Sequence, residues 1–288
     1  MNHKTTFLDI IFVGIIVVGV LMTVLPLLYV VALSLSSPEP ILKGQVSLLP
    51  VGFTFEAYKS IFTDRAMIYS LIFTVILTVV YTVFSMVMTV CLAYPLTKKH
   101  LYGGKVMMFL ALFTMYFSGG IIPEYVLYRG LNITNTIWVL VLPSLVSVYN
   151  MIIIKSFFSA LPESIEEAAH IDGAGDIDTL FKIVLPLSKP VLATIALFYA
   201  VQRWNTFQDA LYYITDSNLQ PLQLKLSMLI EISQQSELTK FEGADVSKMV
   251  PESVKSASIV FTALPIICVY PFLQKYFVKG ITLGAVKG

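Results

Sequence analysis

The sequence predicts an all-α, polytopic membrane protein with six transmembrane helices, and three observations predict it. Hydrophobic residues make up 57% of the 288 residues and charged residues 13%, about half the charge of an ordinary soluble domain. The mean hydropathy is +0.80, and so few charges could not cover a water-facing surface. The apolar residues gather into runs near the roughly 20 residues that cross about 30 Å of hydrocarbon as a helix. The net charge of +1 offers no basic face and argues against a nucleic-acid partner. Cys91 and Cys268 both lie inside apolar runs, which suggests neither a disulfide framework nor a thiolate metal site.

The elements follow in order. Residues 10–33 are uncharged and follow His3 and Lys4; the run is too long for a signal-peptide core and lacks a small-residue cleavage site, so it reads as a retained first span. Segment 34–66, with Pro, Gly, Ser and scattered aromatics, is a loop. The second and third spans cover 67–97 and 106–123, with Gly119, Gly120 and Pro123 closing the third. The fourth covers 130–154. The fifth, 190–215, opens strongly apolar and is then interrupted by Arg203 and Asp209. Segment 216–255 is a polar insertion in which Leu222, Leu224, Leu226, Leu229 and Ile230 predict some packed structure. The sixth span covers 256–274. No internal repeat is present, and the chain divides into residues 1–67, a first helix with its loop, and a core of five helices over 68–288.

Six spans place both termini on one side. Segments 1–9, 96–106, 155–189 and 275–288 carry ten Lys, against eight Lys and Arg in the longer opposite segments. The clearest vote is Lys98, Lys99, His100 and Lys105 in one short loop. Cytoplasmic loops carry the excess of Lys and Arg, so the prediction is N-in and C-in, with the insertion over about 216–255 outside.

The cytoplasmic loop over about 159–189 is the most informative segment. It reads as two short helices. Pro162 suits a first helical position, and Ser164 with Glu167 has the spacing of a capping box. Asp172 and Gly173 supply a stop, with glycine able to turn left-handed past the last turn. Asp176 is placed to cap the second helix, which is expected to end before Pro186. Glu163, Glu166 and Glu167 enrich the first turns, where the helix dipole favours carboxylates. Ala168 and Ala169 keep one face shallow, so the helix could lie deep in a groove of another protein. An interfacial helix on lipid is the alternative, but such a helix normally presents Lys or Arg rather than Glu.

The run Glu167-Ala168-Ala169, three residues, Gly173, nine residues, Ile183, one residue, Leu185-Pro186 resembles the EAA loop of bacterial ABC importer permeases. Further similarity lies in residues 150–158, in Asp172-Gly173-Ala174, in Pro190, in Trp204-Asn205 and in residues 280–288. Together these resemble the maltose-type, binding-protein-dependent carbohydrate permeases, in their complex-oligosaccharide branch. The resemblance implies a permease subunit of an ATP-driven importer in the bacterial cell membrane, multi-pass and not itself an enzyme. It implies that the loop is a coupling helix docking into a cytoplasmic ATPase, with Glu166, Glu167, Ala168, Ala169, Asp172 and Gly173 on the ATPase-coupling site. The implied partners are two copies of that ATPase, which would hold ATP and Mg, a second related permease, and an extracellular solute-binding protein delivering an oligosaccharide. The tail 279–288 is a second candidate contact with the ATPase; a frayed terminus is the other reading.

A polar stripe marks the fifth span. On a helix at 100° per residue, Tyr199, Gln202, Arg203, Thr206, Asp209, Ala210 and Tyr213 fall within about 120°, with Asn205 and Gln208 outside. An Arg at mid-bilayer costs about 2.5–3.5 kcal/mol, so it is expected to face protein or water. Hydroxyls, an amide, a guanidinium and rings on one face suit a carbohydrate, and Arg203 suggests an anionic, uronate-type sugar. On that expectation Arg203→Gln reduces transport of uronate-bearing sugars more than neutral ones. The alternative places Arg203 and Asp209 at the outer interface as anchors. In the second span, Tyr81, Ser85 and Thr89 suit either a pore lining or helix packing.

Other chemistry is not encoded. No P-loop occurs, so this chain does not bind ATP by that device. His3, His100 and His170 are too scattered for a metal site, and no nucleophile with a base marks a hydrolase. A secondary transporter of a polar solute, working without an ATPase, is the alternative function; it would need repeats and buried carboxylates, and Asp209 is the one strong candidate.

Overall fold

The computed structural model describes residues 7–240 and 251–285. Among the described residues the one extended pairing is an isolated antiparallel bridge between Ser36 and Phe53; the rest of the regular structure is helical. The first helix, α1 (Phe7–Ser34), is followed by the short α2 (Pro38–Leu42) and α3 (Glu56–Thr63), then by the long α4 (Arg65–Ala93). Next come α5 (Gly104–Tyr116), α6 (Ile121–Gly130), α7 (Ile137–Val141) and α8 (Val148–Ser159). A polar connection carries α9 (Glu163–Ile171), α10 (Asp176–Thr179) and α11 (Leu185–Leu187) into α12 (Lys189–Asn205). The remainder is α13 (Gln208–Tyr213), α14 (Leu222–Lys240) and α15 (Glu252–Ala285).

Helices α1, α4 and α15 contain stretches long and apolar enough to cross a membrane unaided. Three bent pairs bring the possible crossings to six: α5 with α6 at 116°, Ile137–Ser144 with α8 at 49°, and Asp176–Leu187 with α12 at 84°. The third and fourth crossings, which the sequence predicts as unbroken runs over 106–123 and 130–154, are both broken in the structure. At the first break Gly120 takes φ +83° and ψ 167°, a backbone region essentially confined to glycine. Gly119 and Gly120 lie in the break after α5, which ends at Tyr116, and Pro123 stands in the first turn of α6 rather than closing the span. Residues 131–136 form a turn with Asn132 and Asn135 at positive φ, which pushes the fourth crossing toward 137–159.

The contacts divide the chain into two compact units, Met1–Tyr69 with Lys225–Pro265, and Ser70–Leu224 with Ile266–Gly288. In the first, α1 is apolar on every side and exposed from Ile11 to Tyr29, as a helix bathed in lipid should be. Its end is tied down by hydroxyls. Ser34 Oγ donates to Val31 O and lies 2.8 Å from Tyr58 Oη, while Ser36 Oγ donates to Ala32 O and accepts from Val51 N. Gly52 is required here: at φ +64°, a Cβ would lie 2.3 Å from Ser37 Oγ.

In the second unit α4, α8 and α12 supply the core. Tyr81, Ala93, Met151, Ile154, Ile195 and Tyr199 are at most 1% exposed. The Tyr81 and Tyr199 rings meet edge to face at 6.0 Å, an arrangement aromatic pairs favour. Their hydroxyls are spent on packing as well. Tyr81 Oη donates to Ser144 O at 2.6 Å, and Tyr199 Oη accepts from Ser147 N at 3.0 Å and lies 2.6 Å from Thr89 Oγ1. Ser85 and Thr89 are fully buried, so helix packing accounts for most of the second-span pattern. The leucine pattern at 222–226 does pack: Leu222 and Leu224 are at most 1% exposed, and Leu222 N donates to Thr74 Oγ1 at 2.8 Å.

Candidate functional site

Two places in the second unit carry chemistry. The first is the polar connection after α8. Helix α9 starts from Pro162 as N-cap, with no side-chain cap hydrogen bond, so Ser164 lies inside the first turn and the expected capping box does not form. Glu163 instead stands in the first turn, reaching Lys99 at 2.5 Å. The stop behaves as predicted: Gly173 takes φ +83°, its N–H donates to His170 O at 3.0 Å, and Ala174 N donates to Ala169 O at 2.9 Å. Such bonds satisfy the carbonyls left over at a helix end.

Asp176 is not a cap either, because Gly175 holds the N-cap and α10 begins at Asp176. The second helix also runs past its expected end. A π-turn over Leu180–Val184 feeds α11, in which Pro186 is accommodated, and the helix turns at Ser188. Proline has no N–H for Lys182 O and its ring crowds that carbonyl; a π-turn shifts the ladder and relieves both.

Helix α9 has two faces. Ala169 is buried at 7% exposure, and Glu166, half-buried, pairs with Lys98. Lys98 in turn stands 4.4 Å over the Tyr94 ring at the end of α4, a cation–π contact. Burial disfavours the Lys98 charge, but hydrogen bonding to Glu166 and Tyr94 outweighs it and holds the ammonium above its usual pKa. Glu163 and Lys99 shift apart through their mutual hydrogen bond, the acid down and the base up. The outer face presents Glu167 and Ala168, with Asp172 just past its end, and three apolar side chains of the connection are exposed: Ile171 at the end of α9 at 86%, Ile177 on α10 at 75% and Phe181 in the π-turn at 64%. The two alanines therefore do not share a shallow face: Ala168 is outside, and Ala169 lets the helix sit close to its own chain.

The second place is a cavity of about 430 Å³ where α12 breaks. The stripe expected on one continuous helix is split, since α12 ends at Asn205 and α13 starts at Gln208. The break still brings five of the seven stripe residues together: Gln202, Arg203, Thr206, Asp209 and Tyr213 line the cavity, while Ala210 is buried. Tyr199 does not, being buried against Thr89 and Ser147. Gln208, outside the arc on an unbroken wheel, lines the wall because the chain turns before it.

Arg203 braces that break. It is 3% exposed, and it donates to both Asp209 oxygens at 2.5 and 3.0 Å, to Leu140 O at 2.9 Å and to Thr206 O at 3.0 Å. The opposite wall comes from α6, whose Glu124 and Tyr128 the sequence reading missed. Tyr128 meets Tyr213 edge to face at 5.1 Å, and Tyr125 stacks on Tyr213 at 6.2 Å.

Comparison with known proteins decides what kind of protein carries these sites. Residues 49–283 match the family described as "Binding-protein-dependent transport system inner membrane component". The chain belongs to that family. This permease is similar to the polygalacturonan/rhamnogalacturonan transport system permease protein YtcP of Bacillus subtilis (strain 168), 39% identical over 285 residues, covering 99% of this chain and all of the relative. It is 43% identical over 268 residues to protein LplC of the same organism, covering 92% of this chain and 90% of that one. Among solved structures, a chain of a bacterial ABC transporter involved in import of the acidic polysaccharide alginate superposes with a TM-score of 0.86 at 33% identity, over 96% of the permease and all of that chain. The permease is thus a multi-pass inner-membrane transport component, not an enzyme.

The motif reading located the α9 loop and its Gly173 stop; what it missed there are Ile171, Ile177 and Phe181. Their signal was available, since isoleucine and phenylalanine in a loop of acids are out of place unless something covers them.

Proposed function

We propose that the chain is one of two related permease subunits of an ATP-driven importer that moves an oligosaccharide from an extracellular binding protein into the cytoplasm. The observation that carries this reading is the exposed surface of the connection over 163–181, acidic along α9 and carrying the exposed Ile171, Ile177 and Phe181, with α9 held on the chain's body by Glu166 and Ala169 and ended by Gly173. A membrane surface would select the opposite charge. Two ATPase copies, with their ATP and Mg, would dock there and on the second permease, contacting Glu167, Ala168, Asp172 and Gly173; in this proposal the chain crosses six times, N-in and C-in, with the loop on their side. Closure of the ATPase dimer carries α9 with it and turns the bundle from inward- to outward-facing. The binding protein then releases sugar to a pathway that includes Gln202, Thr206 and Tyr213.

Uronate-type sugars are the proposed substrate class. The names of YtcP and of the alginate importer support it, and the cavity's rings and amides suit a carbohydrate. Arg203 acts in this proposal as the brace beside the pathway, its charge engaged by Asp209, and Tyr199 supports that wall from behind.

The test is a mild-detergent purification of the tagged chain with assay of ATP hydrolysis against candidate sugars and the binding protein. The expected result is co-purification of a second permease and an ATPase whose turnover one loaded sugar stimulates. A chain that purifies alone, with no sugar-stimulated ATPase after co-expression with its neighbours, defeats the proposal.

A further inference from the structure

The cavity at the α12 break carries a charge that the brace does not neutralise. Its lining holds one guanidinium, Arg203, and two carboxylates, Asp209 and Glu124. Arg203 is committed to Asp209 and to two backbone carbonyls. Glu124 has no ion-pair partner among the described residues, and its one protein contact of note is Tyr213 Oη at 3.5 Å from Oε2, the outer limit of a hydrogen bond. One cation against two anions leaves the wall at −1. A carboxylate offers about four acceptor sites and no donor, so most of the acceptor capacity of Glu124 faces the cavity unused.

Around this acceptor stand tyrosine rings held in place. Tyr128 and Tyr213 both line the cavity and meet edge to face at 5.1 Å, with Tyr125 stacked behind Tyr213. Hydroxyl groups of a sugar are donors that a carboxylate takes in pairs, and its C–H faces suit aromatic rings. A sugar carboxylate at the same place would meet the Glu124 charge, and among the described residues Arg203, already paired with Asp209, is the one cation that lines the cavity.

We infer that Glu124, with Tyr128 and Tyr213, forms a sugar subsite that accepts vicinal hydroxyls and rejects carboxylates, so that acidic groups of a passing oligosaccharide turn away from this chain. The inference rests on the importer reading and refines it: this subunit reads the hydroxyl face of the substrate, and selection for acid groups falls to another surface.

The experiment uses the complete importer in liposomes with saturating binding protein, and a matched pair of probes: an oligouronate and its methyl ester. Direct binding of both probes to the detergent-solubilised permease–ATPase complex, without the binding protein, is measured alongside. Relative to wild type, Glu124→Gln should weaken the neutral ester about tenfold, the worth of a hydrogen bond to a charged group, while the free acid holds or improves. Glu124→Asp, which keeps the charge and moves it, should lose affinity for both probes yet keep the wild-type ratio between acid and ester. Equal factors for acid and ester in Glu124→Gln, or no change for either while wild type responds, overturn the subsite. A wild-type complex in which no sugar stimulates ATP hydrolysis instead overturns the importer reading, so the two failures are separable.

Discussion

Gly173 and Arg203 show how single residues set the two sites. No heavy atom lies within 4 Å of where a Gly173 Cβ would stand, so substitution there is resisted by φ +83° and not by crowding. Gly173→Val should cost about 1–2 kcal/mol locally and move the end of α9, lowering uptake per ATP hydrolysed in the assembled transporter. Gly173→Asn, which tolerates the left-handed region better, should be milder; equal uptake in wild type and the valine variant would count against the role of this turn. At Arg203, removal of the guanidinium leaves the largely buried Asp209 without its ion-pair partner on the cavity wall. Arg203→Gln should destabilise the solubilised protein by about 3 kcal/mol and depress transport of neutral and acidic sugars alike, whereas Arg203→Met with Asp209→Leu should recover most of the thermal stability. Selective loss of acidic cargo in Arg203→Gln would restore the direct sugar contact that the charge pattern alone suggests.

At the scale of elements, α9 is fixed to the chain by Lys98–Glu166 and Lys99–Glu163, contacts between segments more than sixty residues apart. The inner pair sits on Tyr94 at the end of α4, so motion of α9 reaches that helix. Lys98→Glu should separate ATP hydrolysis from uptake, and the exchange Lys98→Glu with Glu166→Lys should restore part of the coupling; no recovery in the exchange would deny the pair its role. The pH response has a defined sign. The Lys98 pKa is raised above 10.5, so its contribution is fully present below 10.5 and fades as pH rises through the higher folded value. The Glu163 pKa is lowered below 4.5, so its contribution is present above 4.5 and fades as pH falls through the lower folded value. Corrected for the intrinsic pH dependence of amide exchange, the protection of α9 contributed by these pairs should therefore be level between those limits and fall beyond them; protection that falls at neither limit would contradict the pairing. Sequence spacing identified α9 and its glycine because local motifs specify them. It did not reveal Lys98 as partner to Glu166, since a pairing over that distance depends on how α4 and α8 pack.

For the whole molecule, six possible crossings were legible in hydropathy, since burial in lipid is a matter of composition along the chain. The bends were not. Glycine and proline announced breaks at Gly119–Gly120 and at Pro186–Pro190, but not the angles of 116° and 84°. The cavity was half legible for the same reason: Gln202, Arg203, Thr206, Asp209 and Tyr213 share a polar stripe, while Glu124 and Tyr128 reach the site only because α5 and α6 fold back. The topology itself can be read by labelling. In a Cys91→Ala, Cys268→Ala background, Ser217→Cys should react with an impermeant maleimide on spheroplasts, and Tyr102→Cys only after lysis; the reverse pattern would invert the chain in the membrane.

The break at Gly120 has a consequence for hydration. A helix that restarts at Ile121 exposes N–H groups with no partner inside the helix, and lipid cannot satisfy them. Ser118 and Gly120 lie on the cavity wall, so on a six-crossing topology the cavity must be wet. In nanodiscs, amide protons over 118–121 should exchange with bulk water far faster than those of the flanking turns, and solvent paramagnets should reach them from the cavity side. Sugar entering a hydrated space keeps part of its own hydration on the way in, so passage need not begin with a dry pore.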